Sequence, residues 1–200
     1  MNSRVFLAIF ICLSSSIGFS KQIEGDLTLD DFKPLITSHE IQIRLKEIGQ
    51  QINHDYEGKQ IVIIMVMKGA ICFASDLVRE IKIPCTIEYV QASSYGQNGT
   101  QAGALTLRGL ETLDLSGKDI LLVDDIFDTG VTITRIKAAL QKYNIASIKT
   151  AIFLLKNKAR TMQEIPEYVA FKIENQFVIG YGLDYKELFR ELPEVWVKKD

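Results

Sequence analysis

The sequence predicts an α/β fold in which a parallel-sheet core is flanked by helices. One observation behind this is a set of nearly uninterrupted apolar runs at residues 60–67, 119–123 and 147–155, rich in Ile and Val. Such runs suit strands buried on both faces, as parallel strands are. A second is that helical apolar stripes separate these runs. Strands alternating with helices imply a parallel sheet, whose ligands sit beyond the carboxyl ends of its strands.

Each element follows in chain order. Residues 21–33 form a polar approach. Thr37 with Glu40 three residues later makes a capping box, and Ile41, Leu45, Ile48 and Ile52 then mark one face of an amphipathic helix. After the strand at 60–67, Lys68-Gly69 is a turn, and Phe73, Leu77 and Ile81 stripe the next helix before Pro84. Residues 86–91 form a strand, and a polar, glycine-punctuated stretch runs from Ser93 to Gly103. The strand at 119–123 feeds a helix at 132–143 with Ile133, Ile136 and Leu140 on one side. Runs at 147–155 and 169–173 complete the sheet, with 195–197 as an edge strand.

The chain has 200 residues, enough for one domain with a substantial core. An apolar fraction of 47%, a charged fraction of 24% and a net charge of −2 are ordinary for a soluble domain. They speak against a non-specific nucleic-acid partner or a membrane-surface binder, so no nucleic acid and no stable membrane association are expected. Cys12, Cys72 and Cys85 match neither a disulfide framework nor a zinc site, and the last two are expected as buried thiols. The N-terminus has the layout of a secretory signal: Arg4, an apolar run at 5–13, three serines at 14–16, then Gly18 and Ser20. Residues 1–25 are therefore set apart as a signal-like leader or disordered tail, and 26–200 as the domain.

The most informative segment runs from Leu121 through Asp124, Asp125, Ile126, Phe127, Asp128, Thr129, Gly130 and Val131 to Thr132. A buried strand enters a turn that opens a helix. Free N–H groups at a helix start bind phosphate, Gly130 lets the backbone approach closely, and the Thr129 and Thr132 hydroxyls add donors. Three carboxylates beside a phosphate would repel it, so they must face something else, and a sugar diol and a divalent cation are the chemically sensible choices. A capped helix start with solvated acids is the plain alternative. The concurrence of acid pair, third Asp and Thr-Gly-x-Thr after a buried strand argues against it.

This segment resembles the phosphoribosyl pyrophosphate (PRPP) motif of type I phosphoribosyltransferases. From about Thr37 to the C-terminus the chain resembles their hypoxanthine-guanine branch. Further matches are Lys68-Gly69-Ala70, Ser93-Ser94-Tyr95-Gly96, Lys156 with Arg160, and the stretch from Phe177 to Tyr185 followed by Phe189-Arg190. The resemblance implies a small hood built from the N- and C-terminal segments, and substrates PRPP, hypoxanthine and guanine with Mg²⁺ as cofactor. It also implies a cytoplasmic homodimer or homotetramer, although the leader leaves export open.

It further implies roles residue by residue. Asp124 and Asp125 would hold the ribose hydroxyls and help place Mg²⁺. Residues Asp128, Thr129, Gly130, Val131 and Thr132 would hold the 5-phosphate, with Asp128 near N7 of the purine as general acid/base. Lys68, the backbone at Gly69, and Arg190 would bind pyrophosphate, with a cis peptide between Met67 and Lys68. Lys156 would donate to O6 of the base, Phe177 would stack on it, and carbonyls near Val178 and Asp184 would accept from its N1–H and 2-amino group. Asp184 would also bind a second Mg²⁺. Ser93, Ser94, Tyr95 and Gly96 would belong to a flexible loop that closes over the site and excludes water. On residue type alone, Lys68 reads equally as an exposed turn lysine and Phe177 as a core aromatic. Asn157 stands where many bacterial members carry a proline, which leaves the local loop geometry open. The competing readings are a relative preferring another base, such as xanthine, and a nucleotide-sensing regulator without turnover.

Overall fold

The computed structural model describes residues 27–95, 102–157 and 165–199; the leader, Gly96 and Arg160 lie outside them. Strand β1 (Phe32–Ile36) leads into helix α1 (Ser38–Asp55). Then come β2 (Ile61–Met67), α2 (Ile71–Glu80), β3 (Cys85–Tyr95) and β4 (Ala102–Arg108). The chain continues through β5 (Asp119–Phe127), α3 (Val131–Leu140), β6 (Ser147–Lys156) and β7 (Tyr168–Ile173). It closes with β8 (Val178–Ile179) and β9 (Val195–Lys198). The six-stranded sheet has the order β4-β3-β2-β5-β6-β7, all pairs parallel except β3 with β4.

The apolar runs are explained by two cores on opposite faces of this sheet. Ile61 and Ile63 of β2, with Leu121 and Val123 of β5, pack under Ile41, Leu45, Ile48 and Ile52 of α1 and Phe73 and Leu77 of α2. The intervening Val62, Ile64, Ile120 and Leu122 face Ile133, Ile136 and Leu140 of α3. A strand with helices on both sides has no face left for polar residues. Helix α1 starts as its capping box requires. The Glu40 N–H donates to Thr37 Oγ1 at 3.3 Å, and the Thr37 N–H donates to Glu40 Oε2 at 2.8 Å.

A three-stranded antiparallel sheet, ordered β1-β9-β8, joins the two ends of the described chain. Phe32, Ile179 and Phe189 form its own apolar cluster. This is the expected hood of N- and C-terminal segments. Its β9 is the central strand, however, and not the edge strand that residues 195–197 suggest; β1 and β8 flank it on either side.

Two further expectations are corrected. Ser93, Ser94 and Tyr95 belong to β3 and not to a loop, because backbone pairing needs no apolar side chains: Ser93 pairs with Thr106 and Tyr95 with Ala102 across to β4. Second, β5 runs past residue 123 to Phe127, so the acid pair Asp124-Asp125 lies on the strand and only Asp128 opens the turn. Cys72 and Cys85 are free thiols but only partly buried, and burial raises both above the usual thiol range.

Candidate active site

Because β2, β5, β6 and β7 run parallel, their carboxyl ends bring Lys68, Asp128, Lys156 and the segment leading to Phe177 to one edge of the sheet. Between β5 and α3 lies a cavity of about 150 Å³ lined by Asp124, Ile126, Phe127, Asp128, Thr129, Gly130, Thr132 and Ile133. Gly130 sits at the N-cap of α3 with φ 70°, a left-handed backbone that a side chain disfavours. That turn aims the first N–H groups of α3 at the cavity mouth, the arrangement that favours an anion. Val131 does not line the cavity. Its side chain is exposed, and only its main chain is placed to contribute.

Asp124 is buried and Asp125 partly so. The Asp125 N–H donates to Asp124 Oδ1 at 3.0 Å, and the Ile126 N–H donates to Asp125 Oδ1 at 2.8 Å. Burial, reinforced for Asp124 by the neighbouring Asp125, pushes both carboxyls above their usual range. Asp125 also dictates the residue at 69. A Cβ on Gly69 would lie 1.7 Å from Asp125 Oδ2. Gly69 is in turn backed by Gly182, whose φ is +96° and whose added Cβ would meet the Gly69 carbonyl oxygen at 2.2 Å. Two backbones and a carboxylate thus close on one another where no side chain fits. The peptide between Met67 and Lys68 is cis.

Asp128 and Lys156 meet: Lys156 Nζ lies 3.4 Å from Asp128 Oδ2, with the lysine side chain 14% and the aspartate 35% exposed. A donor and an acceptor therefore stand side by side at the ends of adjacent strands. Phe177 is 46% exposed, so the core-aromatic reading fails. Its ring meets Tyr185 edge-on at 6.0 Å and Phe32 at a tilt at 6.3 Å. Val178 is buried in the hood, so only its main chain is available to a ligand. Asn157 donates through its side chain to Glu174, which links the end of β6 to the segment after β7 in place of a proline.

A charged cluster flanks Lys68. Its Nζ lies 2.9 Å from Glu187 Oε2, and the same oxygen is 3.3 Å from Arg190 Nη2. Arg190 Nη2 is also 2.8 Å from Asp184 Oδ1, while its Nη1 donates to the Gly182 carbonyl at 2.7 Å. The other Asp184 oxygen accepts from the Glu187 N–H at 2.8 Å. Contact with Lys68 and Arg190 holds the Glu187 carboxyl below its usual range. Arg190 Nε is buried and has no acceptor among the described residues. Sequence reasoning missed Glu187 and Gly182. The repeated glycines at 180 and 182 were a signal for the second; no local pattern marks the first.

A parallel sheet with an acid pair on its central strand and an anion cradle at the next helix defines the phosphoribosyltransferase class. The family model for the phosphoribosyl transferase domain matches residues 35–186. The chain belongs to that family. Among its relatives, the hypoxanthine-guanine phosphoribosyltransferase of Streptococcus pneumoniae is 36% identical over 86% of this chain and 96% of its own length. The enzyme of the same name from Aquifex aeolicus is 36% identical over 90% and 99%. The solved hypoxanthine phosphoribosyltransferase of Staphylococcus aureus superposes with a TM-score of 0.79 at 34% identity, covering 85% of this chain and 93% of that one. Within the family, then, this chain sits with the hypoxanthine-guanine branch.

Proposed function

We propose that the chain transfers the phosphoribosyl group of PRPP to hypoxanthine or guanine, releasing pyrophosphate and yielding IMP or GMP in purine salvage. The observation that carries the base assignment is the Asp128–Lys156 pair. A free 6-oxopurine in its N7–H form presents an O6 acceptor and an N7–H donor next to each other on one edge, matching an ammonium donor beside a carboxylate acceptor. Adenine carries an amino donor at position 6, which would face the Lys156 ammonium unpaired. An unsatisfied buried polar group costs about 1–3 kcal/mol, and such mismatches discriminate strongly.

In this reading the 5-phosphate occupies the cavity at residues 128–132, and the acids Asp124 and Asp125 take the ribose hydroxyls. Asp128 handles the N7 proton as the new bond forms, while Phe177 stacks on the base. Lys68, the Gly69 backbone and Arg190 hold the departing pyrophosphate. Mg²⁺, when bound, would neutralise charge developing on the pyrophosphate. The donor set fits it. Asp124 and Asp125 supply the hard carboxylate oxygens that Mg²⁺ takes, and Asp184 is a third candidate. Among the described residues no group of three His, Cys, Asp or Glu forms a ready metal site. Mg²⁺ is commonly held by one or two carboxylates together with substrate oxygens and water.

The transferred sugar would otherwise react with water, so closure by the β3–β4 arm, which carries Ser93, Ser94 and Tyr95, belongs to the same proposal. We place the enzyme in the cytoplasm, where the PRPP donor is made. Homodimer or homotetramer formation is supported by the exposed Ile87 and Tyr89 on β3. The test is a base panel: purified protein with PRPP and Mg²⁺, and hypoxanthine, guanine, xanthine or adenine supplied separately. Nucleotide should form from the first two. Turnover of adenine but not hypoxanthine would overturn the Lys156 assignment.

A further inference from the structure

We infer that Glu187 is a positioning residue that stands in for pyrophosphate: its carboxylate pairs with Lys68 and Arg190 when the pyrophosphate site is empty and must leave them when PRPP or pyrophosphate enters. The inference rests on the reading of Lys68 and Arg190 as pyrophosphate ligands. One carboxylate oxygen, Glu187 Oε2, serves both cations, at 2.9 Å from Lys68 Nζ and 3.3 Å from Arg190 Nη2. An oxygen bridging the two groups assigned to a polyanion occupies the place such an anion would claim.

The local backbone supports displacement. Glu187 lies in a turn where Lys186, Glu187 and Phe189 have φ of 50°, 64° and 73°. The turn is tied by the Glu187 N–H to Asp184 and by the Tyr185–Leu188 backbone pair. These ties hold the main chain and leave the side chain free to swing. Glu187 and Lys68 are 63% and 54% exposed, so each contact is weak enough to exchange for a multivalent anion. Arg190 also stays anchored to Asp184 and to the Gly182 carbonyl, so losing Glu187 does not release it.

Two effects follow, both of the same sign. The internal carboxylate competes for the cations, and it repels an approaching pyrophosphate. Glu187 therefore weakens pyrophosphate binding and helps product leave. The Glu187→Gln variant keeps side-chain length and branching, so it meets the φ of 64° as Glu does, and removes only the charge. It should bind pyrophosphate about two- to fivefold more tightly, as expected for losing exposed ion pairs, and show a lower KM for PRPP. The gain should shrink as ionic strength rises.

The experiment is calorimetric titration of inorganic pyrophosphate, with and without Mg²⁺, into the full chain, Glu187→Gln and Lys68→Ala, with thermal melts confirming that each is folded. Tighter binding in Glu187→Gln with weaker binding in Lys68→Ala supports the inference. Unchanged or weaker binding in Glu187→Gln, with Lys68→Ala still impaired, overturns it and makes Glu187 a support for the cations. Pyrophosphate binding that ignores Lys68→Ala overturns the pyrophosphate-site reading itself. Loss of general structure does not tighten a ligand, so the expected sign separates displacement from a merely structural role.

Discussion

Replacing Asp128 by Asn tests the chemistry with the least disturbance to the fold. The two side chains have the same shape, and the amide oxygen can still accept from Lys156, 3.4 Å from the carboxylate in the native pair. Lys156 is the more buried partner, so retaining an acceptor avoids stranding its charge. The α3 N-terminus and the Thr129 and Thr132 hydroxyls, proposed to cradle the phosphate, are untouched. What disappears is the proton acceptor beside N7. General acid–base catalysis is worth about 10²–10⁴ in rate, or about 3–5 kcal/mol on the barrier. Single-turnover kinetics with PRPP and hypoxanthine should therefore fall by that factor, while equilibrium binding of IMP stays within about threefold. A rate within threefold of the native protein would refute the acid/base role. A matched loss of rate and of IMP binding would make Asp128 a phosphate ligand instead.

The remaining predictions are independent of that step. Asp124→Asn removes the buried member of an acid pair whose folded pKa values are raised by loss of hydration. A raised carboxyl binds more protons folded than unfolded, so ionisation of the native pair costs stability as pH rises above the ordinary carboxylate range. The variant should melt higher than the native protein at pH 7 without ligand, by about 2–4 °C for each kcal/mol relieved. That advantage should narrow as pH falls towards 4, and activity should be lost; an unchanged melting point at pH 7 would count against the buried-charge reading. Gly182→Ala forces a side chain onto a backbone with φ +96°, 2.2 Å from the Gly69 carbonyl oxygen. It should lose at least about 1–2 kcal/mol in urea unfolding and raise KM for PRPP by displacing Gly69; native-like stability would show that the close approach of Gly182 to Gly69 can relax.

Much of the architecture was legible because one physical signal dominated each element. Thr37 and Glu40 announced α1, and Ile41, Leu45, Ile48 and Ile52 set its buried face, all of which the structure reproduces. The strands of the central sheet were visible because burial on both faces leaves no polar alternation. The β3–β4 arm was hidden for the opposite reason: its pairing is carried by main-chain bonds across Ser93 and Tyr95, which read as loop. The placement of β9 between β1 and β8 was equally invisible, since four residues cannot report how many neighbours a strand has.

The site divides along the same line. Residues contiguous in one strand–turn–helix, from Asp124 to Thr132, could be read together. Family resemblance added Lys68, Lys156, Phe177 and Arg190. Contacts made only by the folded chain could not be read: Gly182 backing Gly69, Asp125 filling the space above Gly69, and Glu187 bridging Lys68 and Arg190 over 119 residues of sequence.

The most direct measurement is a crystal structure of the protein with IMP. The phosphate should lie within hydrogen-bonding distance of the backbone and hydroxyls at residues 128–132, with O6 on Lys156 and N7 towards Asp128. A monophosphate bound elsewhere, or a purine edge turned away from that pair, would contradict the assignment of both the anion cradle and the base specificity.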